Sequence, residues 1–185
     1  LDASDIGDAE TAYFKLESWP TIDRVEIIVP PNRVLAHDDY YTPGIETISE
    51  LDLNIIISCE ADSVSLKGMT TYVRPSNEEL NEEKHQISKR GDDNSTNNHP
   101  LSSNIVYNFY KATNVNFTNN CNLNGTILAP NADVTTPQRC PGHLSGAMIA
   151  KSFEGGLEFG YRPYRGGVDV LGLSAGYEVP VDKVV

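Results

Sequence analysis

From Asn104 to Phe159 the chain repeats one local pattern, a short apolar run followed by a closing Asn, Gly or Pro. The runs are Ile105-Val106-Tyr107, Val115-Asn116-Phe117, Thr126-Ile127-Leu128-Ala129, Ala132-Asp133-Val134 and Ala147-Met148-Ile149-Ala150. β-Branched and aromatic residues bounded by turn formers read as strands, and these strands are too short and too tightly cornered for a hairpin meander. A chain that winds, stacking each rung on the last, satisfies their backbone groups and buries their apolar sides together. No strict repeat period is visible. The pattern therefore predicts an all-β fold, an irregular parallel β-solenoid (β-helix) with uneven coils.

Upstream, Arg24–Val29 reads RVEIIV and runs into Pro30-Pro31-Asn32-Arg33, a strand followed by a corner. Leu51–Ser58 is the clearest strand of the first half, and Val64-Ser65-Leu66 follows after one acidic corner. Val34-Leu35-Ala36 is too short to stand alone, and residues 1–20 read as an irregular or briefly extended lead-in. Residues 76–103 differ in kind: with Leu80, Ile87 and Leu101 as the strongly apolar positions, they form a polar insertion expected to add no rung to the core. Within it, Ser76 and Glu79 make a capping box, so one short exposed helix is predicted over Glu78–Ser88, followed by a flexible loop from Asp92 to His99.

Three segments in fixed order make the sequence specific. They are Val106-Tyr107-Asn108-Phe109, then Gly125-Thr126-Ile127-Leu128-Ala129-Pro130-Asn131-Ala132, then Gly146-Ala147-Met148-Ile149-Ala150-Lys151-Ser152. Together they resemble the choice-of-anchor A family, adhesive domains with an ice-binding-like β-solenoid fold found on surface proteins of Gram-positive and other bacteria. Pro130-Asn131 would turn a corner after one rung, while Gly125 and Gly146 would open the next two where backbones crowd. The resemblance covers roughly residues 22–170. It implies a non-enzymatic adhesin domain with no cofactor, extracellular on a cell surface or cell wall, that binds a host or environmental ligand, protein or glycan. The same resemblance implies a longer multidomain surface protein. Residues 1–176 would be the adhesive domain without the family's glycine-rich opening, and 177–185 the linker or first strand of a following stalk domain. Lys183 is the candidate for an intramolecular isopeptide bond of the kind such stalks carry.

Charge narrows the partners. The 185 residues carry a net charge of −12, which opposes binding to nucleic acid and to anionic membranes. No apolar run is long enough to insert into a membrane. The imbalance is local: residues 1–62 hold 14 acidic and 3 basic side chains, against 12 and 11 in the remainder.

Cys121 and Cys140 flank the central rung, each in a polar loop, so a disulfide between them would clip neighbouring corners. Cys59 ends a strand and reads as a small buried hydrophobe. The scattered histidines and the lack of a C-x-x-C pair argue against a metal site. Exposed tyrosine and arginine dominate contact energies at interfaces, and two stretches concentrate them where burial is not obviously required. One is Phe159–Gly167, with Tyr161, Arg162, Tyr164 and Arg165; it would either close the end of the solenoid or form a contact surface. The other is Tyr40 with Tyr41. Two alternatives remain. A polysaccharide-active solenoid enzyme would need paired carboxylates, for which Asp133, Glu154 and Glu158 are the positions to inspect. Ice or mineral binding would need a flat threonine array, for which Thr70-Thr71 and Thr135-Thr136 are the adjacent pairs.

Overall fold

Alternation of small or aromatic residues with polar ones generates the first strand, β1 (Thr11–Leu16), whose Ala12 and Phe14 are buried. The computed structural model describes residues 1–19, 24–38, 46–87, 100–118, 121–140, 142–166 and 177–178. Its further strands are β2 (Arg24–Val29), β3 (Val34–Asp38), β4 (Glu46–Leu51), β5 (Asn54–Cys59), β6 (Ser63–Leu66), β7 (Thr70–Pro75), β8 (Ile105–Asn108), β9 (Asn114–Phe117), β10 (Leu123–Asn124), β11 (Thr126–Thr135), β12 (His143–Gly146), β13 (Met148–Glu154), β14 (Glu158–Tyr161) and β15 (Tyr177–Glu178). The architecture is all-β and built on a curled parallel sheet of order β15-β1-β5-β8-β11-β9-β6, with β13 added on β11. Three parallel strands, β10-β12-β14, form a second sheet, and β2 pairs parallel with β7. Only β3 and β4 pair antiparallel among the described strands.

Parallel register stacks like on like. One buried column runs Phe14, Ile57, Tyr107, Ile127 and Met148. A second runs Val64, Val115, Val134 and Phe153, and a third Leu123, Leu144 and Phe159. Strand β11 belongs to two faces at once: its first half pairs with β8 and its second with β9, and the register shifts between Ala129 and Asp133. The exposed Pro130-Asn131 pair sits at that bend, so the expected corner is traversed without breaking the strand. Gly125 and Gly146 lie back to back, as close-packed backbones require. A β-carbon on Gly146 would collide with the Gly125 carbonyl oxygen and stand 2.6 Å from its carbonyl carbon.

Of the two readings of the lead-in the extended one holds: β1 pairs with β5 over its whole length and its Phe14 joins the core. The polar insertion adds no strand among the described residues, yet it reaches the core through Ile87 and Leu101, which are both buried. One expectation needs correction. The predicted helix over Glu78–Ser88 shrinks to a single turn, α1 (Glu82–His85). The competing force is strand pairing: Gln86 bridges Tyr72, and the Ile87 amide donates to the Thr71 carbonyl at 2.9 Å, which carries the chain back against β7. His85, buried in that turn, accepts the Asn81 amide at Nδ1 (3.0 Å) and faces Glu78 Oε2 at 3.2 Å through Nε2. Burial lowers its pKa, against the pull of Glu78.

Candidate functional site

Strands β13 and β14 are edge strands of two neighbouring sheets. Each has one neighbour, β11 and β12 respectively, and among the described residues nothing pairs on their other side. The apolar columns therefore emerge here instead of ending under another layer. Phe153 and Phe159, which continue the valine and leucine columns, are 40% and 44% exposed, and Tyr161 beside them is 75% exposed. The two phenylalanines meet edge to face with centroids 5.9 Å apart, the arrangement that aromatic quadrupoles favour. With Met148, Ala150, Lys151 and Ser152 they line an open groove of about 570 Å³. Sequence reasoning singled out Tyr161, included Phe159 only as the start of the stretch Phe159–Gly167, and missed Phe153. The available signal was the pair flanking Gly155-Gly156, one Phe on each side of a corner and each next to a glutamate.

The rim of the groove is polar and organised by Asp133. Ser152 Oγ donates to its Oδ1 at 2.6 Å and Lys151 Nζ to its Oδ2 at 3.0 Å. These two bonds, Ser152 first, hold the carboxyl below the usual range. A carboxylate so held is a poor proton donor, and Glu158 faces His143 Nδ1 at 3.8 Å on a separate strand pair. Below the rim, two rows of short polar side chains follow the strand order: Ser63, Asn114, Asp133, Ser152, and Ser65, Asn116, Thr135, Glu154. Thr135 Oγ1 donates to Asn116 Oδ1 at 2.5 Å within the second row. The threonine pairs do not make a flat array, because Thr71 is buried and the Thr136 hydroxyl bonds the carbonyl of Pro137.

The other arginine and tyrosine positions separate from Tyr161. After β14 the chain turns back over the sheet, pinned by the Arg162 amide to the Gly146 carbonyl and the Arg165 amide to the Ser103 carbonyl, both at 3.0 Å. Tyr164 is half-buried near Tyr13 and Asn54, and desolvation, with Tyr13 a lesser cause, pushes its phenol up to about 12. Ile56 and Val106, on this outer side of the sheet, are buried without joining the main core. Arg162 is half-buried and Arg165 exposed. Tyr40, Tyr41 and Lys183 lie outside the described residues.

Cys121 and Cys140 are joined, with Cα atoms 5.8 Å apart, and Cys59 is a buried free thiol. Among the described residues, no group of three or more His, Cys, Asp or Glu side chains is placed to hold a metal ion, and no helix is long and apolar enough to cross a membrane.

Comparison with known proteins gives one match: a family model described as "Putative Ice-binding-like adhesive domain" fits residues 46–161. Searches of curated proteins and of solved structures returned no match. The matched span begins at β4 and closes on Tyr161, so it takes in both edge strands, β13 and β14.

Proposed function

Because the chain belongs to the family of ice-binding-like adhesive domains, we propose that it is a non-enzymatic adhesin domain that holds an external protein or glycan ligand at a cell surface. Its parallel columns are, in this reading, the faces of an irregular β-solenoid, and its last coil is the contact end. The observation that carries the reading is the groove where Phe153, Phe159 and Tyr161 come to the surface together. A monomeric domain gains nothing in stability from leaving these rings in water. Tyr161 is the leading contact residue, Arg162 and Arg165 on the returning segment are secondary contacts outside the groove, and Tyr164 acts mainly as packing. Tyr40 with Tyr41 is a second contact patch, and Lys183 the isopeptide lysine of a following stalk domain in a longer surface protein.

The test is retention of the purified domain on arrays of matrix proteins and glycans, run beside the Tyr161→Ala and Arg165→Ala variants. Specific retention that the variants reduce, without release of any hydrolysis product, is expected. Turnover of a glycan by the wild type would replace the adhesin reading with the enzymatic one.

A further inference from the structure

We propose that the groove of the last coil is a binding site for neutral carbohydrate, an inference that rests on the adhesive reading and adds the ligand class. A sugar ring presents apolar C–H faces and a polar girdle of hydroxyls, so its site needs flat apolar surface and short hydrogen-bonding groups within a few ångströms of each other. The groove supplies both. Tyr161, 75% exposed, and the edge-to-face pair Phe153 and Phe159 give the apolar surface. Lys151 and Ser152 line the same groove and are fixed by bonds of 3.0 and 2.6 Å to Asp133. The lysine commits one of its three donors there. The groove volume of about 570 Å³ falls within the range of small-ligand sites. A polymer could extend further, because the rows Ser63-Asn114-Asp133-Ser152 and Ser65-Asn116-Thr135-Glu154 continue from the rim across four strands. Adjacent strands are about 4.8 Å apart.

Charge selects the occupant. A peptide strand or a second copy that extends the sheet would pair with the edge of β13 that no described strand covers, where Lys151 is the central residue of Met148–Glu154. Charged side chains on an edge strand, lysine above all, oppose such pairing. A two-fold contact between two β13 strands would set Lys151 against Lys151, between chains that each carry −12. The overall −12, most of it on residues 1–62, opposes the approach of an anionic glycan at long range. A neutral polyhydroxylated ligand meets none of these penalties.

The experiment titrates the full chain with neutral cello-, chito-, laminari- and manno-oligosaccharides and with polygalacturonate, and repeats any binding with Tyr161→Ala, Tyr161→Phe and Lys151→Met. The expected result is binding to at least one neutral series. Tyr161→Ala should weaken it at least tenfold at an unchanged melting temperature, Tyr161→Phe should largely retain it, and Lys151→Met should weaken it several-fold. Binding of matrix proteins with no neutral glycan would overturn the carbohydrate proposal and leave the adhesin reading standing, whereas binding of nothing would overturn both. Glycan binding indifferent to Tyr161→Ala would place the ligand elsewhere and sink the proposal. So would a concentration-dependent dimer in sedimentation that Tyr161→Ala abolishes, which would make a second copy the occupant.

Discussion

Replacing Gly146 with alanine should be among the most damaging single-methyl additions in this chain. The new β-carbon would stand 2.6 Å from the Gly125 carbonyl carbon and closer still to its oxygen, where ordinary contact begins at 3.4 Å, so the two backbones must part by more than about 0.8 Å. They are stitched at this point by the Gly125 amide to the Ser145 carbonyl (2.9 Å) and the Ile127 amide to the Ala147 carbonyl (2.8 Å). Overpacking costs about 1–3 kcal/mol, and weakening two buried backbone hydrogen bonds adds about 1–2 kcal/mol. A total of about 2–5 kcal/mol is a large part of the stability of a typical domain. At about 2–4 °C per kcal/mol for a chain of this size, melting should fall by roughly 5–20 °C. Circular dichroism melting of Gly146→Ala beside Gly7→Ala provides the comparison. Gly7 has φ +63 and nothing within 4 Å of an added β-carbon, so its variant suffers left-handed strain alone, about 1–2 kcal/mol. If Gly146→Ala melts no lower than Gly7→Ala, the close approach of the two backbones is not what fixes glycine there.

The returning segment predicts a split between neighbours: Tyr164→Ala, which uncovers the outer side of the sheet, should lose about 1–3 kcal/mol, while Arg165→Ala should melt within about 1–2 °C of wild type. Equal melting of the two would deny Tyr164 its packing role. Non-reducing peptide mapping should recover Cys121 linked to Cys140. Reducing that link, which closes a loop with a sequence separation of 19, should cost about 3 kcal/mol, and three freely alkylated cysteines in the native protein would refute it. Burial lowers the pKa of His85 from its ordinary 6.5. Below 6.5 the unfolded chain therefore takes up a proton that the folded one resists, and stability should decline as pH falls from there toward the folded value. His85→Gln should flatten that segment of the stability profile, and an unchanged slope would remove His85 as its source.

The rungs were legible because each carries its own signal: a β-branched or aromatic run, then Asn, Gly or Pro. Gly125 and Gly146 were legible for the same reason, standing where two runs begin. What sequence could not show was which rung stacks on which, because parallel partners are far apart in the chain. Thr11 pairs with Asn54, and Ile55 with Ile105. β1 was left open between irregular and extended on that account: its inward positions include the small Ala12, and its partner lies some forty residues on. Ile87 and Leu101 looked stranded in polar surroundings, yet single apolar residues are enough to anchor an insertion to a core. At the candidate site, Tyr161 stood out by type. Phe153 and Phe159 were marked only by flanking the Gly155-Gly156 corner, and their exposure follows from where the stack ends.

That ending has a thermodynamic corollary. In a linear array, stability is approximately a sum of intrinsic terms and couplings between nearest neighbours. On the proposed solenoid reading an interior coil has two such couplings, whereas the one made of β13 and β14 has one. It should therefore be among the first units to fray, and its amides should exchange faster than those of β5 or β8, which are sandwiched between others. A ligand seated there would supply the missing second coupling. Attachment and local order would then be linked quantities, so that holding a surface slows the unzipping of the molecule from the end that holds it.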